Sequence, residues 1–251
     1  MKRITRKSLA LLAFLAALPP SPLGAEGQGD ALAILKRVDA TMNAPRDQSM
    51  KTTLKLVDKG GAVRERSLVM LQKGADRRLV RFLSPADQKG IAVLSLPAGE
   101  LWLYLPAFKK AKRIASHVKN GSFAGTDFSY SDMEAKNYAE THDASYLRAE
   151  GESDVIELRP RPEAEAEYAK IVMTVDRASN VPTVIEYQDA KGAAYKRLVS
   201  RGVEKSGRYW LVREREMTDL RTGHRSVFAV TSVEFDTGIK DAEFTVRALE
   251  L

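Results

Sequence analysis

The residue types best suited to acid–base chemistry or metal binding near neutral pH are rare in this sequence. Three histidines are present, His117, His142 and His224, and none belongs to a His-x-x-x-His or His-x-x-Glu-His pair that would scaffold a zinc site. His117 lies in a basic stretch, His142 is beside Asp143, and His224 falls in a short turn. We therefore interpret all three as surface histidines.

Two carboxylates, Asp127 and Asp132, are five residues apart in one loop and could form the acid–base pair that glycosidases use. Turn formation or capping explains them more simply. The sequence has no cysteine, no Gly-x-Ser-x-Gly motif, no Gly-x-x-x-x-Gly-Lys phosphate loop and no dinucleotide-binding glycine motif. We therefore predict a protein that is not an enzyme and that uses neither a cofactor nor a metal ion.

The composition is that of an ordinary globular protein, because hydrophobic residues make up 44% and charged residues 29% of its 251 residues. The formal net charge is +7, but residues 1–25 contain four basic residues and no acid, so the remaining chain carries only +3. That surplus is not accompanied by a basic cluster with interleaved aromatic residues. We therefore expect no nucleic-acid partner.

Residues 1–25 have the pattern of a secretory signal peptide. A basic segment, Met1–Ser8, precedes the apolar run Leu9–Leu18, and Ala25 offers a small residue for cleavage. The apolar run is too short for an uncleaved membrane anchor, which needs roughly 20 residues. We expect cleavage after Ala25 and a diffusible exported protein, since no cysteine is present to carry a lipid anchor. Residues 26–251 then form one domain.

Hydrophobic spacing predicts one helix followed by strands. Asp30 is a candidate N-cap for an amphipathic helix, because Leu32, Leu35, Val38 and Met42 recur at three- and four-residue intervals. From residue 48 the period changes to two, which is typical of strands. Turns rich in Gly, Asn and Asp separate the strands at residues 58–61, 73–76, 97–100, 150–153, 176–180, 189–192, 205–208 and 221–224.

Strands joined by such short turns are antiparallel neighbours. We therefore predict a mainly β fold of about ten strands, with one wet face and one apolar face. A single helix cannot cover so large an apolar face, so we expect the sheet to curl. The concave side either keeps free space for a ligand or is filled, as in a packed sandwich or barrel, and the sequence leaves both alternatives open.

A basic cluster directly follows an apolar strand and consists of Lys109, Lys110, Lys112 and Arg113. Such a cluster at the rim of a groove could meet anionic head groups or an acidic partner surface. It could equally protect an exposed edge strand against aggregation, which is the commoner use of lysines in that position.

The loop Gly121–Met133 combines two glycines with three aromatic residues, Phe123, Phe128 and Tyr130. A polar loop with three aromatic side chains must bury some of them. We predict that the loop lies at the rim of the groove with one or more of these rings reaching toward its interior. It is then either a core plug or a mobile lid over an apolar pocket.

Three segments resemble the signature of the outer-membrane lipoprotein-sorting proteins, relatives of the periplasmic lipoprotein carrier LolA: RFLSPADQKGIAVLSL, LWLYLPAFKKAKRI…GSFAGTDFSYSDM and the C-terminal FTVRALE. The similarity covers most of residues 30–251. It implies a strongly curved, open antiparallel half-barrel, with the N-terminal helix and a loop or short helix over the concave face.

The resemblance also implies a function, because relatives shelter acyl chains in that groove while they cross the periplasm. We expect a monomeric periplasmic carrier that delivers a lipid or a lipoprotein to an outer-membrane acceptor. The resemblance further implies an inner-membrane exporter of the resistance-nodulation-division type as a partner. The alternative is a non-enzymatic sensor or interaction protein that uses the same fold without lipid cargo.

Alternate positions on successive strands give the candidate groove lining. The apolar residues chosen in this way are Met50, Leu54, Leu56, Val80, Phe82, Leu94, Leu96, Trp102 and Tyr104. A shift of one residue in the phase of a strand reverses its assignment, and Leu101, Leu103 and Leu105 compete with Trp102 and Tyr104 for the same face.

Overall fold

The computed structural model describes residues 30–164 and 166–250, so the predicted signal peptide lies outside the described residues. Helix α1 spans Ala31–Met42, and the Asp30 carboxylate accepts hydrogen bonds from the amides of Leu32 and Ala33 at 3.0 and 3.1 Å. The N-cap is thus where the sequence predicts it. Leu32 itself is exposed, and Ile34 is buried with Leu35 and Val38 in its place.

Thirteen antiparallel strands form one sheet within the described residues. In chain order their bounds are β1 Asp47–Val57, β2 Val63–Lys73, β3 Arg77–Ser84, β4 Ala92–Leu96, β5 Glu100–Leu105, β6 Lys110–Arg113, β7 His142–Glu150, β8 Ser153–Pro160, β9 Lys170–Asp176, β10 Pro182–Gln188, β11 Ala194–Ser206, β12 Tyr209–Asp219 and β13 Arg225–Phe235. Two one-turn helices complete the regular structure, α2 Tyr138–Thr141 and α3 Val246–Leu249.

The number of strands exceeds the predicted ten, and the difference lies partly in the stretch 92–113. There the chain forms three short strands, β4, β5 and β6, separated by single turns of 3-10 helix that begin at Pro97 and Pro106. All eight predicted turns connect neighbouring strands, and each contains a residue with positive φ. Among the described residues, no helix has the length and apolar character needed to cross a membrane.

The sheet is a curved half-barrel that does not close. Its strand order is β6-β5-β4-β3-β2-β1-β13-β12-β11-β10-β9-β8-β7, so every hydrogen-bonded pair is consecutive in the chain except β1 with β13. Strands β6 and β7 are the two free edges, and residues 114–141 connect them. The curvature brings distant strands together, because side chains of β1–β3 and of β8–β12 share one core cluster with α1.

The core has two parts on opposite faces of the sheet. The larger cluster occupies the concave face, beneath α1 and the loop 121–133. The smaller cluster lies on the outer face of β2–β6, where the C-terminal residues Phe244 and Leu249 cover it. Strand β4 is therefore buried on both faces.

Four of the predicted groove residues belong to this outer cluster: Leu94, Leu96, Trp102 and Tyr104. The predicted phase is wrong for these two strands, because Val93 and Leu101 face the concave cluster in their place. The physical reason is the C-terminal segment, which removes the outer face of β4 and β5 from water and so abolishes the polar alternation that would have set the phase.

Candidate ligand-binding cavity

A cavity of about 220 Å³ lies between α1, the segment 128–138 and the concave face of the sheet. We call it the concave cavity. Its floor comes from β1 and β2 on one side and from β9–β13 on the other. It therefore occupies the position where the sequence left free space and a filled interior as alternatives.

Methionines dominate the apolar lining of the concave cavity. Apart from the initiator and the buried Met217, every methionine of the chain contributes to it: Met42, Met50, Met70, Met133 and Met173. They come from α1, β1, β2, the 3-10 turn that ends the loop 121–133, and β9. Because the methionine side chain is unbranched and polarisable, this lining can adapt to apolar groups of different shape.

Aromatic residues complete the apolar wall, and Phe128, Tyr138, Tyr187, Trp210 and Phe228 all border the cavity. The Phe128 and Phe228 rings meet edge to face, with their centroids 4.8 Å apart. Burial raises the pKa of both Tyr138 and Tyr187, so each remains a neutral phenol.

Two arginines interrupt this apolar lining. Arg78 on β3 donates from Nε and Nη2 to Oε1 of Gln72, at 3.1 and 2.7 Å, and from Nη1 to the Glu134 carbonyl at 3.0 Å. Within the part of the chain that the structure describes, the Arg215 side chain on β12 makes one hydrogen bond, from Nη2 to the Met42 sulfur at 3.8 Å. Burial lowers the pKa of Arg78 to about 10, with a further contribution from Arg215, and burial also lowers the pKa of Arg215.

One carboxylate joins α1 to α2 above the cavity. Asp39 of α1 accepts hydrogen bonds from the amides of Tyr138 and Ala139 at 3.0 and 2.8 Å, and so caps the first turn of α2. Burial raises the pKa of Asp39, although these two amides oppose the shift. Beside it, Asn43 donates to the Asn137 side-chain oxygen at 2.8 Å.

The loop 121–133 fills the interior next to the cavity. Phe123 is fully buried and stacks on Phe82, with ring centroids 5.5 Å apart, and Tyr130 packs edge-on against it. The loop is anchored to β13, because Asp127 accepts hydrogen bonds from the Ser226 hydroxyl at 2.6 Å and contacts His224 Nδ1 at 2.7 Å. Phe128 alone of the three aromatic residues borders the cavity.

The remaining candidate lining residues share the concave face with the cavity but do not all border it. Met50 lines the cavity. Leu54, Leu56, Val80 and Phe82 are almost completely buried in the concave cluster, next to the loop that Phe123 anchors. The structure thus places one of the nine residues at the cavity, four in the adjoining core, and four on the opposite face.

The basic cluster lies away from the concave cavity. Lys109, Lys110, Lys112 and Arg113 form the end of a hairpin and the free edge strand β6, where they are exposed. Arg113 pairs with Glu100 at 3.1 Å, and the Lys112 ammonium lies 6.0 Å from the Phe108 ring centroid. Arg113 also borders a second, larger opening.

This second opening, which we call the edge cleft, measures about 1180 Å³ and lies between the two ends of the sheet. Residues after β6 line one side, and residues from the start of β7 and from 163–171 line the other. Glu134, Lys136 and Tyr138 border both openings. The segment 134–138 is therefore the wall between the edge cleft and the concave cavity.

Two of the three histidines differ from their interpretation as surface residues. His142 is only 5% exposed, its Nδ1 lies 2.8 Å from the Thr141 hydroxyl, and burial together with Lys136 lowers its pKa to about 4. His224 is half-buried against Asp127. His117 is exposed, as expected.

The two cavity arginines are the residues that sequence reasoning missed. Arg78 occupies the same alternation as Val80 and Phe82, and Arg215 the same alternation as Leu211 and Met217. On β3 the available signal was a charged residue in an otherwise apolar alternation. On β12 the signal was absent, because the exposed Arg213 shares the alternation of Arg215.

A protein-family model described as an uncharacterized protein family matches residues 74–251, well over half of the chain. Among solved structures, the chain is similar to an outer membrane lipoprotein-sorting protein domain from Vibrio parahaemolyticus, with 29% identity, a TM-score of 0.80, and coverage of 88% of this chain and 98% of that one. No curated protein sequence matches.

Two further structures have the same fold. A DUF1329 family protein from Desulfovibrio piger has a TM-score of 0.81 at 24% identity and covers 87% of this chain and 97% of its own. A LolA superfamily protein from Nitrosomonas europaea has a TM-score of 0.72 at 19% identity, with 86% and 97% covered. At these identities the likeness concerns the fold.

Proposed function

Since the chain belongs to the family whose model matches residues 74–251 and is similar in structure to an outer membrane lipoprotein-sorting protein domain, we propose that it is a periplasmic carrier of the LolA-like type. It binds acyl chains of a lipoprotein or lipid in the concave cavity and delivers them toward the outer membrane. The observation that carries the proposal is the cavity itself, enclosed between a curved sheet and α1 and lined by five methionines and a set of aromatic rings.

Transfer energetics explain how such a cavity holds its cargo. Each CH₂ group moved from water into an apolar site gains about 0.8 kcal/mol, so a chain of ordinary length binds without polar contacts along its length. Release then needs only an acceptor that offers a better apolar environment. No catalytic group takes part in this cycle.

The cavity must widen to hold a whole acyl chain, because about 220 Å³ is below the roughly 300–1,000 Å³ of typical ligand sites. The segment 134–138 is the part of the wall suited to move, since it separates the cavity from the edge cleft and is joined to α1 by the Asp39 and Asn43 contacts. We propose that opening of this wall admits the chain.

Delivery requires a donor and an acceptor. We propose an inner-membrane exporter of the resistance-nodulation-division type as the donor partner and an outer-membrane component as the acceptor. The exposed basic cluster on β6 is a candidate contact surface for either partner, because it lies at a free sheet edge.

The test has two parts, identification of the lipid that copurifies with the protein and a substitution that fills the cavity. The protein is purified from the periplasm, its lipid extract is analysed by mass spectrometry, and binding of the neutral fluorophore N-phenyl-1-naphthylamine is titrated. We expect bound lipid and saturable probe uptake. Val230→Trp, which fills the lining, should reduce uptake at least tenfold, whereas Thr231→Trp on the adjacent exposed position should not.

A second candidate function is that of a sensor or interaction protein, and the packing of the loop 121–133 favours it. Phe123 and its neighbours already fill the concave side over β1–β3, so part of the groove is a solid core. Absence of both bound lipid and probe uptake in the experiment above would support this function and contradict the carrier.

A further inference from the structure

The two guanidinium groups of the concave cavity have no carboxylate partner. Within the described residues no ion pair involves Arg78 or Arg215. By contrast, Arg213, which precedes Arg215 by two residues on β12, pairs with Glu204 at 2.6 Å. All polar contacts of Arg78 are to neutral oxygens, and the one contact of Arg215 is to a thioether sulfur.

The acids of the lining are engaged elsewhere. Asp39 accepts from the amides at the start of α2. Asp132 accepts from the Tyr168 hydroxyl at 3.0 Å, and Glu134 pairs with Lys119 at 3.1 Å. The third base of the lining, Lys136, lies 3.9 Å from Glu134. Within the described residues, none of these acids forms an ion pair with Arg78 or Arg215.

Such an arrangement is costly, because a half-buried charge without a counter-charge loses part of its hydration and gains little in return. The two arginines also repel each other, since Arg215 contributes to the lowered pKa of Arg78. An anion placed between them removes both penalties, and a guanidinium is well suited to bind carboxylate or phosphate oxygens through paired N–H donors.

We propose that Arg78 and Arg215 bind the anionic head of a single-chain acidic amphiphile, a fatty acid or a lysophosphatidate, whose chain lies against the methionine lining. This inference rests on the proposed carrier function and specifies its cargo. The lipid-modified end of a lipoprotein provides ester and amide carbonyls, which are neutral and would leave both arginines without a counter-charge. A free acidic lipid satisfies them.

The experiment compares two probes that differ only in the head group, a pyrene-labelled fatty acid and its methyl ester. We expect the wild-type protein to bind the acid at least tenfold more tightly than the ester. Lysophosphatidic acid should displace the pyrene acid, and inorganic phosphate at millimolar concentration should not, because the head alone lacks the apolar contribution of the chain.

Arg215→Gln is the decisive variant, because Arg215 makes only the sulfur contact and its removal breaks no hydrogen-bond network. It should lose the preference for the acid and retain its affinity for the ester. Arg213→Gln on the same strand is the matched control and should keep the preference. Arg78→Gln should act like Arg215→Gln, with circular dichroism confirming that it folds, because it also contacts Gln72 and Glu134.

The possible outcomes distinguish failure of the arginine site from failure of the carrier function. Equal binding of acid and ester by the wild type overturns the arginine site and leaves the carrier function standing. Binding of neither probe overturns both. A parallel loss of acid and ester affinity in Arg215→Gln, while Arg213→Gln is unchanged, also contradicts recognition of the head group, because the residue would then act only on the shape of the cavity.

Discussion

Phe123 and Phe128 belong to one loop but have different neighbours, so their replacement separates two roles of that loop. Phe123 is fully buried against Phe82, whereas Phe128 borders the concave cavity opposite Phe228. We expect Phe123→Ala to lower the free energy of unfolding by about 3–5 kcal/mol without changing probe affinity. Phe128→Ala should also lower the free energy of unfolding. It should increase probe uptake, because loss of the ring enlarges the cavity.

Urea unfolding and titration with the neutral fluorophore check both variants. If Phe128→Ala leaves the stability unchanged and weakens retention of the probe, the loop is a mobile lid. A large loss of stability in both variants, with probe binding intact in Phe123→Ala and intact or increased in Phe128→Ala, is the result expected of a core plug.

His142 gives the stability of the protein a predicted pH dependence. Burial, followed by Lys136, lowers its folded-state pKa from 6.5 to about 4. Between these two values the unfolded chain binds the proton and the folded chain does not, so stability is fully present above pH 6.5 and falls as the pH decreases toward 4. We expect this residue to contribute a loss of about 3 kcal/mol across that window.

Unfolding by urea at several pH values between 4 and 7 measures this slope. His142→Gln should flatten it, and His117→Gln, which changes an exposed ring, should leave it unchanged. An identical slope in wild type and His142→Gln would assign the pH dependence to other groups.

At the scale of elements, we expect the cavity to open at the contact of α1 with α2. The Asp39 carboxylate holds the first amides of α2, a contact of the kind whose loss typically costs about 1 kcal/mol. We predict that Asp39→Ala leaves the fold intact and accelerates probe release in stopped-flow measurements. Asp58→Ala, in the turn between β1 and β2, is the control. Equal release rates would place the opening elsewhere.

The elements also show where sequence reasoning succeeds. The turns could be predicted because a hairpin needs a residue with positive φ, and Gly or Asn supplies it at each of the eight positions. The α1 N-cap was equally readable from Asp30. Both are local signals that depend on a few adjacent residues.

Non-local packing explains what the sequence could not predict. The phase of β4 and β5 depends on Phe244 and Leu249, which are more than a hundred residues away and cover the outer face. The burial of His142 and the inward position of Arg215 likewise follow from the curvature of the whole sheet. Of the candidate lining, the residues on β1 and β3 therefore lie on the concave face, and those on β4 and β5 pack in the outer cluster.

At the scale of the whole molecule, the C-terminal segment acts as a second cover, opposite α1. Phe244 is 4% exposed and packs in the cluster that contains Trp102. We expect Phe244→Ala to lower the free energy of unfolding by about 3–5 kcal/mol and to shift the emission of Trp102 to longer wavelength. A Trp210→Phe background leaves Trp102 as the only tryptophan.

Ligand binding should be unaffected by that change, because Trp102 and the concave cavity lie on opposite faces of the sheet. A loss of probe affinity in Phe244→Ala equal to that of the Val230→Trp block would show that the two faces are coupled. An exposed position on the same segment, Glu243→Ala, serves as the control.

The methionine lining gives the protein a redox sensitivity. Oxidation converts the methionine thioether to a polar sulfoxide. Methionine sulfoxide reductases reverse this oxidation. The chain has no cysteine to react first, and Met42, Met50 and Met70 are only half-buried. We expect mild peroxide treatment to abolish retention of an acyl probe before it unfolds the sheet, and reductase treatment to restore it. If the protein is the proposed carrier, an oxidising envelope would thus release its cargo, and repair would restore binding.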